Sequence, residues 1–329
     1  MNKKNVLICT GGGGSRLSRT SNLEPGVWTT TRAFTMAEIL LSLTIIGVVA
    51  AITLPSLTGN INERTWNTQR KAIYARFSQA ISLMPSLNGF GSSETFVTAG
   101  LSKVLKLNNI CSGDKFADCG FPSKITGLNN SLLNPFPTDI SDFNSRAVYS
   151  PFTGGEGAAF ETVNGESFFV FYNPHCVGDM GETGAYYGQR KVCANFVYDL
   201  NGKKGPNAVN KDIGFITVFY PSDSVVVAPV TLYDRAGGAI WSKAGELCRG
   251  QSDDGRLPNV HEAIALFYNR NLLSPNAVNG DLGLTHTYTS TTVSNDPAKA
   301  WYMDVLGGTV QPFTKANSGY VRCVKRNLN

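Results

Sequence analysis

The sequence is poor in charge and poor in histidine. Only 16% of its 329 residues are Asp, Glu, Lys or Arg, against 42% hydrophobic. That balance excludes a mostly disordered chain, which buries too little apolar surface to offset the entropy of ordering. It also lacks the glycine content of a collagen and the repeated long apolar runs of a polytopic membrane protein. Cations are scarce outside the N-terminus. Residues 1–33 hold Lys3, Lys4, Arg16, Arg19 and Arg32 against Glu24, so they carry +4 of the formal +5. The other 296 residues carry +1, too little for the concentrated basic face that nucleic acid requires. The three histidines, His175, His261 and His286, accompany no nucleophile-elbow or metal signature, so no catalytic constellation is expected. There is no Cys-x-x-Cys, and the one His beside a Cys is His175 next to Cys176. Neighbours on an extended strand point to opposite faces, which argues against a zinc site.

What the chain does have is one long apolar run. From Phe34 to Leu54 the single ionisable side chain is Glu38. Twenty-one residues suffice to cross ~30 Å of hydrocarbon as a helix. The run is too long for a signal-peptide core of ~7–15 residues, and no small-x-small cleavage site follows it. A carboxylate at the start of an apolar helix needs a partner, since alone in lipid it costs roughly 2.5 kcal/mol or more. After Pro55 the pattern becomes amphipathic. Leu57, Ile61, Ile73, Phe77, Ile81 and Met84 recur at helical spacing, with Arg64, Arg70, Lys71, Arg76 and Gln79 on other faces, until Pro85 and Gly89 end the helix. The stripe from Ile73 to Met84 should bury against a globular sheet.

The stretch Arg32-Ala33-Phe34-Thr35-Met36-Ala37-Glu38, running into ILLSLTIIGVVAAITLP, resembles the processing site of type IV prepilins and type II secretion pseudopilins. The resemblance implies cleavage between Ala33 and Phe34 by a prepilin peptidase, methylation of the new amine, and single-pass insertion in the inner membrane with the head outside. Assembly with other pilin or pseudopilin subunits into a pilus or secretion filament then follows. Glu38 falls at the family's glutamate and Pro55 at its helix-kinking proline. Ala33 stands where the family usually has Gly. A freed ammonium at Phe34 and the Glu38 carboxylate are each costly in a dry site, and pairing removes much of the penalty. The resemblance thus makes Glu38 the partner of a neighbouring subunit's amine. The Gly-rich stretch Gly11–Gly14 opens onto no helical stripe, so it reads as leader rather than phosphate loop.

Of seven cysteines, Cys9 lies in the leader. Cys111, Cys119, Cys176, Cys193, Cys248 and Cys323 remain, an even set that fits disulfides in an oxidising compartment. Sequence neighbours would be 111 with 119, 176 with 193 and 248 with 323, among 15 pairings.

Residues 86–230 carry short aromatic and β-branched runs: Ser167–Asn173, Cys193–Leu200, Ile213–Tyr220 and Ser224–Thr231. Between two of them lies Asp199-Leu-Asn201-Gly-Lys-Lys-Gly-Pro-Asn207, followed by Asp212. It resembles a DxNGxxGPN loop of pseudopilin-like heads. Oxygens of Asp199, Asn201 and Asp212 could ligate a structural Ca²⁺. Asn-Gly is equally a hairpin-turn signal, and the two lysines favour the turn.

Farther on, Trp241…Cys248, Gly255-Arg256-Leu257-Pro258-Asn259-x-x-Glu262, Tyr288-Thr-Ser-Thr291 and Gly319-Tyr-Val-Arg-Cys323-Val form an ordered series. It resembles a C-type-lectin-like domain of bacterial surface adhesins. The resemblance implies a Cys248–Cys323 bridge and a surface for an unnamed ligand. Asn259 reads as an N-cap, and Arg256 as a structural fork bonded to carbonyls or a carboxylate.

The expected fold is α+β. A long N-terminal transmembrane and stalk helix (34–85) follows a removed leader (1–33) and packs on a β-rich pilin-like head (86–231). A C-type-lectin-like α+β domain (232–329) comes last. The expected function is a pseudopilin or minor pilin, not an enzyme. The rivals are a membrane-tethered enzyme or adhesin using the C-terminal domain, and a plain structural subunit.

Overall fold

The computed structural model describes residues 35–138, 157–176, 191–220, 224–227, 231–273, 287–304 and 309–325, apart from positions 85, 88, 129, 175 and 253. Ala33, Phe34, Cys9, His175 and His286 lie outside the described residues. The chain divides into two units, residues 1–57 and 58–329.

Helix α1 spans Met36–Leu83 and runs through Pro55. In the first unit its residues from Met36 to Val49 are apolar and exposed, Met36 at 77% and Leu41 and Ile46 at 63%. Among the described residues, no helix is long and apolar enough to cross a membrane. This corrects the expected transmembrane stalk helix and, with it, the expected single pass in the inner membrane. The described side chains of the apolar part run from Met36 to Ala51, a rise of roughly 24 Å against the ~30 Å of a bilayer core. From Glu63 onward the helix is amphipathic, with Ile73, Phe77 and Ile81 fully buried.

The second unit is α+β and mostly strand. After α1 come a single helical turn, α2 (Ser93–Thr95), and strands β1 (Leu107–Ser112), β2 (Ile125–Thr126), β3 (Leu132–Leu133), β4 (Ala158–Thr162), β5 (Ser167–Tyr172), β6 (Lys191–Asp199), β7 (Ile213–Tyr220), β8 (Ser224–Val227) and β9 (Thr231–Ala239). Helices α3 (Trp241–Gln251), α4 (Val260–Tyr268) and α5 (Arg270–Leu273) are interleaved with β10 (Gly255–Arg256) and followed by β11 (Thr287–Val293), β12 (Asp296–Asp304), β13 (Thr309–Thr314) and β14 (Gly319–Lys325).

One antiparallel sheet has the order β1-β4-β5-β6-β7-β8. Its central strand β5, SFFVFY, is buried at all six positions, as expected of a strand covered on both faces. The alternation of side chains across the pleat assigns the faces. Phe168, Val170 and Tyr172 pack with Ile73, Phe77 and Ile81 of α1, the Phe77 ring lying 4.9 Å from that of Phe168. Phe169 and Phe171 share the other core with Ala263, Ile264 and Phe267 of α4. The sheet is therefore sandwiched between two helical layers.

A second sheet has the order β10-β14-β11-β12-β13, with β9 also pairing β14. It holds its own small core around Cys248, Tyr288, Tyr302 and Cys323. The core that joins the first sheet to α4 also takes in Met303, Val310 and Val324 of the second sheet. A buried polar link adds to it: Asn195 of β6 and Asn269 after α4 exchange side-chain amide hydrogen bonds, and Thr217 of β7 donates to Asn195. Residues 58–329 form one compact α+β unit.

Three disulfides join Cys111 to Cys119, Cys176 to Cys193 and Cys248 to Cys323. Asn259 caps α4 through a capping box with Glu262. The Arg256 fork meets both oxygens of the buried Glu262 at 2.8 Å and donates to the Leu257 carbonyl.

Candidate functional site

Two places bring chemistry-bearing groups together. The first is the start of α1. The Thr35 hydroxyl accepts the Glu38 amide at 3.2 Å, while Glu38 Oε2 accepts the Thr35 amide at 2.9 Å and the Thr35 hydroxyl at 3.0 Å. This is a capping box, in which two otherwise unpaired backbone amides are each satisfied by the other residue's side chain. The Thr35 amide and hydroxyl hold the Glu38 carboxyl below the ordinary carboxylate range, so it is an anion at neutral pH. Among the described residues, Oε1 takes part in none of these bonds.

The second place is the β6–β7 connection. Strand β6 ends at Asp199 and β7 begins at Ile213, and Gly202 lies in a turn between them. The connection is a long loop organised by two carboxylates. Asp199 Oδ1 accepts the Asn201 amide at 2.9 Å. Asp212 accepts the amides of Asn207 and Ala208 at 2.9 and 2.8 Å. Gly202 sits at φ +64°, and a Cβ there would come to 3.4 Å from the Ser167 hydroxyl. The left-handed backbone calls for glycine, whereas the approach to Ser167 is an ordinary contact.

Four oxygens around this loop are buried without a hydrogen-bond partner: Asp199 Oδ2, Asn201 Oδ1, Asn207 Oδ1 and Ser167 Oγ. Ser167 is the cross-strand partner of Asp199. Native proteins rarely leave such acceptors unmatched, and a buried set of them is what a hard cation uses. Burial pushes the Asp199 carboxyl up to about 8; the Asn201 amide opposes this, the neighbouring Asp212 charge adds to it, and the Gly202 amide opposes it again. A cation would reverse the cost by supplying the missing charge. The donor set of carboxylate, amide and hydroxyl oxygens fits Ca²⁺ and does not fit a soft metal. Among the described residues, no group of three or more His, Cys, Asp or Glu could hold a metal ion.

Of the expected ligands, Asp199 and Asn201 present unmatched oxygens, whereas Asp212 closes the loop on two amides. Asn207 and Ser167 were not singled out from the sequence. Asn207 stands in the quoted loop motif, but Ser167 is reached only through strand pairing. Pro55 lies within α1, distant in sequence from this loop. His261, on α4, packs edge to face on Phe219.

Arg70 was also missed. It lies on α1 and reads as a solvated cation, yet it is only 4% exposed. Its guanidinium donates to the carbonyls of Asn210, at 2.6 Å, and Lys211, and to Asn67 Oδ1 at 2.9 Å. Arg76, on the same helix, pairs with the buried Glu166.

No protein-family model matches the chain, and no curated protein matches it.

Proposed function

We propose that this chain is a pilin-like subunit, a pseudopilin or minor pilin, of a type IV pilus or type II secretion filament. In this reading a prepilin peptidase cuts between Ala33 and Phe34 and methylates the new amine. The observation that carries it is the two-part character of α1. Nine large apolar side chains between Met36 and Val49 are exposed, while the later turns of the same helix are buried on the sheet. An apolar surface of that extent requires a cover, and the same segment of other copies would supply it along a filament. Burying each such side chain contributes about 1.5–3 kcal/mol, so the contact would be strong without any polar group.

Polar chemistry would then set the register. Glu38 keeps one oxygen in its own capping box and has the other for the ammonium of a neighbouring Phe34. The three disulfides belong to an oxidising compartment, which suits a filament outside the cytosol. The chain would act by assembly and by contact rather than as an enzyme, with residues 232–329 meeting a partner, substrate or surface. A structural Ca²⁺ at Asp199, Asn201, Asn207 and Ser167 completes the reading.

Replacing Glu38 by Ala should leave the head folded with its disulfides formed, and should abolish recovery of the subunit in sheared filaments. Recovery at the wild-type level would remove the charge-pair role.

A further inference from the structure

A cleft of about 450 Å³ opens between α1, the segment leading into β1 and the turn from β4 to β5. That volume lies in the usual range of binding sites, roughly 300–1,000 Å³. Arg76, Gln79 and Leu83 line it from the helix, Lys106 from the segment before β1, and Val163 and Asn164 from the turn. We propose that this cleft is a docking site for an acidic peptide segment of a partner protein, a carboxylate side chain flanked by apolar residues.

The three walls are tied to one another. Arg76 pairs with the buried Glu166, whose other oxygen accepts the Thr162 hydroxyl at 2.7 Å. The Lys106 carbonyl accepts the Val163 amide at 3.3 Å, and the turn is closed by the Thr162 amide on the Glu166 carbonyl. A cleft fixed in this way needs little ordering on binding, a cost that lowers the affinity of looser sites. Charge then selects the ligand. Glu166 offsets Arg76, and among the described residues Lys106 has no carboxylate partner. No Asp or Glu among the described residues lines the cleft, so its surface is left positive. Arg76 uses Nε for the Ala72 carbonyl and Nη2 for Glu166, and Nη1 takes part in neither bond. The rim selects a peptide over a bare anion. Leu83, at 62%, and Val163, at 59%, are the two most exposed large apolar side chains among the described residues of 58–329. They stand on different walls of this one cleft. Exposed apolar surface rimmed by polar groups marks protein contacts, and an inorganic anion would leave it uncovered.

The test uses the full-length protein in dodecyl maltoside and the peptide acetyl-Leu-Glu-Leu-amide, with one leucine replaced by its diazirine photo-crosslinking analogue. Peptide mass spectrometry locates the crosslinks, and their yield against concentration gives the affinity. Crosslinks should fall near Leu83 on α1 and on the β4–β5 turn. Changing the peptide's Glu to Gln should weaken binding about tenfold, as expected when a charge-assisted contact is lost. Lys106→Glu should reverse the preference toward acetyl-Leu-Lys-Leu-amide, and Val163→Ser should weaken the Glu peptide severalfold. Both side chains are exposed, so the variants should fold with their disulfides formed; Lys106→Gln, with a smaller loss of preference, decides the matter if Lys106→Glu does not fold. Labelling outside the cleft only, equal binding of the Glu and Gln peptides, or wild-type preference in the Lys106 variants overturns the proposal. Displacement of the Glu peptide by an equal concentration of inorganic phosphate also overturns it, since the site would then take a bare anion.

Discussion

Asp199 gives the loop its pH behaviour. In the folded protein its acid form persists to about pH 8, mainly through burial, whereas in the unfolded chain it ionises near the ordinary 3.8. The stability it contributes is full below about pH 4 and is lost as the pH rises through about 8. Cation-free protein should therefore be less stable at about pH 8 than at about pH 5, by on the order of a few kcal/mol, and should melt at a lower temperature. Asp199→Asn should flatten that slope, and so should saturating Ca²⁺ on wild type. Melting curves in EDTA across this range check the point; a slope unchanged in Asp199→Asn would assign it to another group. At this scale the sequence was only half legible. Asp199 and Asn201 stand out in a loop motif, but Ser167 joins them by strand pairing with Asp199. Arg70 cannot be told from its solvated neighbours Arg64 and Lys71, because helical spacing does not reveal which polar face a loop will cover.

At the scale of elements, hydrophobic pattern carried more. The unbroken run SFFVFY announces a strand buried on both faces, and β5 is that strand, sharing odd and even positions between two cores. Ile73, Phe77 and Ile81 at helical spacing announce a face that needs cover, and the sheet supplies it. Phe77 is the key of that contact, within 4.9 Å of Phe168 and 5.2 Å of Phe196 between ring centroids. Phe77→Ala should cost about 3–5 kcal/mol, read as a lower urea midpoint with the disulfides intact. A loss below about 1 kcal/mol would mean that α1 is not held to the sheet by this core. What the pattern could not convey was how elements join. The runs Cys193–Leu200 and Ile213–Tyr220 already bracket the β6–β7 connection, but they do not reveal that Asp199 and Asp212 organise it by collecting its backbone amides.

For the whole molecule, the same limit holds. Asn195 and Thr217 of the first sheet and Asn269 after α4 form a buried link that no local motif announces. Residues 58–329 should accordingly unfold in one transition rather than two. On the proposed reading, the exposed apolar turns of α1 are covered by other copies, and Glu38 then requires a free amine at Phe34. Mass spectrometry of the N-terminal peptide from protein made in its own cells measures this directly. The account expects a chain that starts at Phe34 and carries an N-methyl group. A mature chain that still starts at Met1, with no Phe34 terminus, would contradict it.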